Sequence, residues 1–365
     1  MSRNPNPHDH SAAPHHEPIS PTDGGGDADV DGEPTERRTD EPAPGGGGAR
    51  AGRRRRIRRL GRVALGILVP AVVVGAVGAT YEGLAERHDE QRYPAPGRLV
   101  DVGGYRLHLH CTGTGGRTVV LEAGLGESSA GWATVQEQLS GGGRVCSYDR
   151  AGYAWSEPGP GPRTAAREAE ELHRLLERAG EPGPYVMVAH SYGGHVVRLF
   201  TDRWPQLTAG LVLLDVTDEN AITELKAAKP LLTAQFTLES WAARLGAVRL
   251  FGGALIPDNA PPQARHDRPV VYGAGSLTAA GAEAAASVDS AREVQATVRP
   301  GAWGDKPVLV IAAAGQPSGA IEAQRRLAAL SSRGRLLVAD TTDHYVQYAQ
   351  PDLVVRSVRQ IRETR

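Results

Sequence analysis

The chain has 365 residues with 41 Lys and Arg against 42 Asp and Glu, a net charge of −1, so no global charge directs it to nucleic acid. Its two cysteines, Cys111 and Cys146, are too few for a disulfide scaffold and form no Cys-x-x-Cys pair, which excludes the common zinc and thioredoxin-type signatures. The first eighty or so residues differ in composition from the rest, which leaves room for about one α/β domain with an insertion.

Residues 1–49 are rich in Pro, Gly, Asp, Glu and His and almost free of large apolar side chains, as in Pro18-Ile19-Ser20-Pro21-Thr22-Asp23. Such a segment buries too little surface to offset its ordering entropy and is expected to be disordered, with the adjacent His15 and His16 solvated rather than metal-bound. Residues 50–62 follow with eight arginines. They form a polybasic juxtamembrane segment suited to anionic lipid head groups, a better reading than nucleic acid because an uncharged stretch, residues 63–81, starts at once. At 1.5 Å per residue that stretch makes a helix of ~28 Å, close to the hydrocarbon thickness of a bilayer. Arginines before it and mixed charges after it predict a single-pass membrane protein with a cytoplasmic N-terminus and everything after Tyr81 outside the cytoplasm. A signal peptide cleaved near Val77-Gly78-Ala79 is the alternative, at the cost of an unusually long leading region.

Residues 82–97 read as a polar linker ending in Pro94-Ala95-Pro96-Gly97. Arg98 to Val102 and Tyr105 to Cys111 then read as a hairpin around Gly103-Gly104, with His108 and His110 sharing a solvated strand face. Thr118 to Ala123 and Arg144 to Tyr148 have the short apolar character of strands buried on both faces. The first stops at the flexible loop Gly124-Leu125-Gly126-Glu127 and the second at the turn Asp149-Arg150-Ala151-Gly152. Thr164 to Arg178 carries apolar residues at helical spacing. The next strand breaks at Ala189-His190-Ser191-Tyr192-Gly193, which reads as a nucleophile elbow: a serine on a strained strand-to-helix turn, flanked by the small residues Ala189 and Gly193 where two backbones approach closely. A further strand, Gly210 to Leu214, ends on Asp215. Residues 216–305 have weak helical patterning and no clear strand, and are expected to be an inserted helical lid. Val308 to Ala312 and Arg335 to Val338 resume the sheet, Asp343-His344-Tyr345 follows the last strand, and a closing helix starts near Pro351.

These motifs in this order resemble the α/β-hydrolase superfamily, of the serine-hydrolase type with a helical lid, over roughly residues 97–365. The resemblance implies a mostly parallel sheet with helices on both faces, a core of residues 98–215 and 306–365, and the lid at 216–305. It also implies a Ser-His-acid triad acting without cofactor or metal. Ser191 would be the nucleophile and His344 its base, while the backbone N–H groups of Tyr192 and Leu125 would form the oxyanion hole. His190 and His195 lie too close to Ser191 in sequence to be that base and read as structural. The loop after Val308 to Ala312, where relatives usually carry the acid, holds no carboxylate; some members carry it one strand earlier, which points to Asp215, then Asp218, with Glu322 a distant third. The alternative for Asp215 is a cap on the lid's first turn. A disulfide between Cys111 and Cys146, on strands that neighbour each other in the superfamily's sheet, is implied as well. The expected function is a membrane-anchored serine hydrolase of a small ester or amide. The other readings are a proline-iminopeptidase-like aminopeptidase (Glu219, Glu224 and Glu239 could hold the amine), a carbon–carbon bond hydrolase, and a catalytically silent binding module.

Overall fold

The computed structural model describes residues 47–364, so the tail expected over 1–49 lies outside the described residues as far as residue 46. The chain divides into two units, residues 1–62 and 63–365. The described part of the first is the arginine-rich start of helix α1 (Gly47–Arg92), with exposed side chains from Arg53 to Arg62. In the second, α1 exposes Val69, Val72, Val73, Val74 and Val77; the helix as a whole is long and apolar enough over Arg53–Asp89 to cross a membrane. The linker expected at 82–97 is helical as far as Arg92 and irregular only from Tyr93 to Gly97. The reason is tertiary: Glu82 and Asp89, two turns apart on one face, both bind Arg249, Glu82 at 2.8 Å and Asp89 at 2.6 Å, and this pairing draws the polar turns into the folded unit.

Eight strands form one sheet in the order β1-β2-β4-β3-β5-β6-β7-β8. These are β1 (Arg98–Asp101), β2 (Arg106–Thr112), β3 (Val119–Glu122), β4 (Val145–Tyr148), β5 (Tyr185–His190), β6 (Thr208–Leu214), β7 (Val308–Ala312) and β8 (Gly334–Val338). β1 and β2 are antiparallel additions to an otherwise parallel sheet. The central strands are apolar on both faces because helices cover both. Val120, Met187 and Leu211 point to the cluster that includes Leu172 of α3 (Ala165–Ala179) and Phe200 of α4 (Gly193–Arg203). The alternate residues Leu121, Val188 and Val212 pack with Leu139 of α2 (Ala133–Ser140) and with Val358 of the C-terminal helix. The two-residue period of the strands thus builds two separate cores from one continuous apolar run.

Between β6 and β7 the chain makes α5 (Ile222–Arg244), α6 (Ala247–Phe251), α7 (Pro262–His266), α8 (Arg268–Val271) and α9 (Ala274–Gln295). Phe236 and Ala243 on the inner face of α5 meet Ala274 and Leu277 of α9. After β7 come α10 (Ser318–Ala328) and, beyond β8, α11 (Val346–Ala349) and α12 (Pro351–Glu363).

The first hairpin departs from expectation. His108 is fully buried, its Nδ1 lies 2.7 Å from Asp149 Oδ2, and Trp155 packs on its ring, so the turn after β4 covers what reads in the sequence as a solvated face. On the next strand pair, Cys111 faces Cys146 across β2 and β4 and the two are joined by a disulfide.

That turn also supplies Arg150, which is 3 % exposed. Its guanidinium donates to Glu122 Oε1 and the Ala123 carbonyl, both at 2.7 Å, to the Gly124 carbonyl at 2.9 Å, and through two nitrogens to Glu283 of α9 at 2.7 and 2.9 Å. One buried cation therefore ties the loop after β3 to α9. Breaking a buried pair leaves uncompensated charge, so Arg150→Met is expected to destabilise the fold by about 3–5 kcal/mol. The check is the denaturation midpoint of the purified full chain, against Arg325→Ala, whose partner Glu322 is exposed, as a control expected to shift little.

Candidate active site

Strand register decides where the site forms. His190 faces Leu214 across β5 and β6, so the residues that follow, Ser191 and Asp215, leave the sheet side by side at its carboxyl edge. Both turn with positive φ, +49° and +42°, a region costly for side chains larger than glycine. The ladder holds them there: Ser191 N–H donates to the Leu214 carbonyl at 3.1 Å and Asp215 N–H to that of Ile311 at 2.7 Å. The turn at Ser191 also needs the two glycines after it. A Cβ on Gly193 would stand 2.5 Å from the Ala123 carbonyl oxygen, and one on Gly194 would stand 2.6 Å from Val216. Ala189, on the other side of the elbow, is fully buried in the core.

His344 reaches both residues from the loop after β8. Its Nε2 lies 2.9 Å from Ser191 Oγ and its Nδ1 2.7 Å from Asp215 Oδ2. With the Nδ1 proton directed at the carboxylate, Nε2 is free to accept the serine proton. Asp215 is held by the loop after β7, where the Ala313 N–H donates to Oδ1 at 3.1 Å and Gln316 Nε2 to Oδ2 at 3.2 Å. The segment without a carboxylate thus hydrogen-bonds the Asp215 carboxylate. Asp218 does not join the group; it binds Asn220 and faces Arg326 at 3.5 Å, and Glu322 is likewise paired with Arg325 in solvent. The backbone N–H groups of Leu125 and Tyr192 donate to no carbonyl among the described residues, so both remain available to an external oxygen.

A second histidine takes part in a way the sequence does not disclose. His190 is buried, and its two nitrogens face acceptors only: Glu127 Oε2 at 2.8 Å from Nδ1 and the His344 carbonyl at 2.9 Å from Nε2. Two acceptors require two N–H donors, so the geometry calls for an imidazolium. Burial opposes that charge, but the Glu127 carboxylate and the two hydrogen bonds outweigh it and raise the His190 pKa above its ordinary value. Burial likewise opposes the Glu127 carboxylate, and its pKa is nonetheless lowered by His190 and the Gly124 N–H. Glu127 also accepts from Gln347 at 3.3 Å and Tyr348 at 3.2 Å, so one ion pair joins the loop after β3, the turn at Ser191, the loop after β8 and the short helix 346–349. His195 differs: buried with neither ring nitrogen hydrogen-bonded, its pKa is lowered to about 3 by desolvation and by Arg198, and it is neutral. A cavity of about 180 Å³ opens beside the group, lined by Leu125, Gly126, Phe236, Tyr272, Tyr345 and Tyr348.

The model of the alpha/beta hydrolase family matches residues 118–357. The chain belongs to that family. Among curated proteins it is 33% identical over 141 residues to the probable transporter efuK of Hormonema carpetanum, covering 36% of this chain and 20% of the relative. It is 37% identical over 119 residues to the protein YqjL of Bacillus subtilis, covering 32% of this chain and 47% of the relative. The chain thus spans from a fifth to about half of the length of these two relatives. Among solved structures it superposes on an esterase from Thermogutta terrifontis with a TM-score of 0.57 at 21% identity, covering 72% of this chain and 96% of that one. It superposes on the Cif epoxide hydrolase from Acinetobacter nosocomialis with a TM-score of 0.64 at 16% identity, covering 79% and 96%. At these identities the superpositions establish the fold.

The His190–Glu127 pair predicts a pH window. The lowered Glu127 pKa contributes stability that is present above its unfolded value of 4.5 and lost as pH falls; the raised His190 pKa contributes stability present below 6.5 and lost as pH rises through the folded value. Melting temperature is therefore expected to peak between these limits and to decline on both sides, and Glu127→Gln should flatten the profile.

Proposed function

We propose that the protein is a membrane-anchored serine hydrolase that cleaves a small ester or amide through an acyl-enzyme. The observation that carries this reading is the chain Ser191 Oγ, His344 Nε2 and Nδ1, Asp215 Oδ2, with links of 2.9 and 2.7 Å, next to two uncommitted backbone N–H groups. A serine hydroxyl is a weak nucleophile until a base takes its proton, and His344 is within reach to do so. As Oγ attacks the substrate carbonyl, the imidazolium that forms on His344 is stabilised by Asp215, and the oxyanion by Leu125 and Tyr192, such donors being worth about 3 kcal/mol each in comparable sites. His344 then protonates the leaving group, and water, deprotonated in turn by His344, releases the acid and restores Ser191.

A serine at the elbow, where aspartate forms the covalent intermediate in dehalogenases and epoxide hydrolases of the superfamily, speaks against those activities here. An aminopeptidase would need free carboxylates facing the cavity. Glu219 is bound to Arg198 at 2.7 Å, and Glu239 alone of the three candidates borders the cavity, so nothing favours that reading. In the anchored reading, residues 63–81 span the bilayer, residues 50–62 lie on the cytoplasmic side near anionic head groups, and the hydrolase domain lies outside the cytoplasm.

The full chain in detergent is expected to hydrolyse p-nitrophenyl acetate or butyrate and to be labelled by a fluorophosphonate. Ser191→Ala should abolish labelling, and His344→Ala should lower turnover by about 10³-fold or more. Asp215→Asn should lower it by about 10⁴-fold and Asp218→Asn leave it unchanged. Folded protein that neither turns over nor labels would point to a silent binding module.

A further inference from the structure

The lid carries an apolar surface that is exposed among the described residues. On α5 and the α6 segment after it, Leu231 and Leu238 are each 72 % exposed, Phe251 78 %, Leu250 62 %, Trp241 60 % and Leu245 44 %. Outside α1, the other exposed large apolar side chains among the described residues are only Leu99, Val298 and Val338. Positions 231, 238, 241 and 245 recur at seven, three and four residues, one narrow stripe of a helix, and no charged residue interrupts it. The opposite side of α5 holds Phe236 and Ala243, which pack into the lid, so the helix is apolar on two sides and buries only one of them.

Position says what covers the stripe. Its C-terminal end meets α1, where a Cβ on Gly78 would stand 2.4 Å from the Leu245 carbonyl oxygen and one on Gly75 would stand 3.9 Å from the Leu245 side chain. Both glycines lie within the apolar span 63–81, Gly78 one turn, or ~6 Å, before Glu82. This is the close approach through small residues by which helices associate in membranes. Beyond Gly78 the contact is locked by Arg249, whose guanidinium is enclosed by Glu82 and Asp89. Trp241, an amphipathic side chain of the kind enriched at bilayer surfaces, has the Arg244 guanidinium 5.5 Å from its ring. The exposed stripe is therefore continuous with the membrane helix and starts at the depth of its last apolar turn.

We infer that the outer face of α5 and α6 lies in the interfacial layer of the bilayer that α1 crosses, with the lid as a second, monotopic contact beside the anchor. This rests on the reading of residues 63–81 as a membrane span. A peptide face of this kind binds by buried apolar area, and its partner is the lipid leaflet on the side of the hydrolase domain.

The test uses the full chain reconstituted in phosphatidylcholine vesicles, with the acyl chains either plain or brominated. Of the other tryptophans, Trp132 and Trp303 are buried and Trp155 and Trp204 half-buried in the hydrolase core. Brominated lipid is expected to quench the fluorescence of the wild type, and Trp241→Phe to remove at least half of the quenched component. Leu238→Asp, on the same stripe, should reduce the quenching of Trp241 several-fold without lowering the melting temperature. Carbonate extraction in parallel separates the two readings. Protein that resists carbonate but shows the same quenching with and without Trp241 keeps its anchor and overturns the lid contact. Protein released by carbonate overturns the membrane span and the lid contact with it. Cross-linking between Leu238→Cys copies at high yield, with Trp241 unquenched, would show that a second copy covers the face and would also overturn it.

Discussion

The lateral register of β5 and β6 is the constraint on which the site depends. Because His190 and Leu214 are partners, the next residue on each strand leaves the ladder at the same height, and both adopt the left-handed turn that aims a side chain over the sheet edge. Neither turn is favourable for serine or aspartate alone. Each is held by the backbone N–H that continues the ladder one step beyond the strand, and by the close fit of Gly193 and Gly194 against Ala123 and Val216. Sliding one strand by one residue would separate Ser191 from Asp215 and send alternate side chains to the wrong core, so the packing that fixes the fold also fixes the geometry at His344.

Two buried charge clusters secure the loops around that edge. Arg150 gathers Glu122 and Glu283, with Glu168 3.8 Å away, so there are more acids than cations. Desolvation, only partly offset by Arg150, raises the Glu122 pKa to about 7, and burial with the neighbouring Glu283 raises that of Glu168. Arg150 nonetheless bridges Glu122 and Glu283, and through them the loop after β3 and α9. The second cluster, His190 with Glu127, keeps full charge because every hydrogen-bonding direction around both groups is satisfied. One cluster shares a cation among several acids, and the other is a matched pair.

Much of this was legible in the sequence because it rests on local patterns. Continuous apolar runs marked the central strands, and the small residues around Ser191 marked the elbow. Asp215 comes from the resemblance to family members that carry the acid one strand earlier rather than from a local pattern; it faces His344 at 2.7 Å. What the pattern could not carry was partnership across distance. His190 read as a structural residue, with no sign that Glu127, sixty-three positions earlier, and the His344 carbonyl would make it an imidazolium. Strand alternation puts the buried His108 on a solvated face, because it does not reveal that Asp149 and Trp155 fold over it. Polarity marks residues 82–97 as a linker, whereas Arg249, far along the chain, binds Glu82 and Asp89 on a helix that runs to Arg92.

That helix has a mechanical consequence. A domain joined to its anchor by a flexible tether can tumble and present its active-site mouth in any direction. In the anchored reading proposed above, α1 would be that anchor, and because it stays helical to Arg92 and is bound by Arg249, tumbling would give way to a fixed tilt. With α1 read as a membrane span, the cavity beneath α5 stays at one height above the lipid surface. Encounters with anything that shares that surface then become a planar search, governed by amount per area rather than per volume.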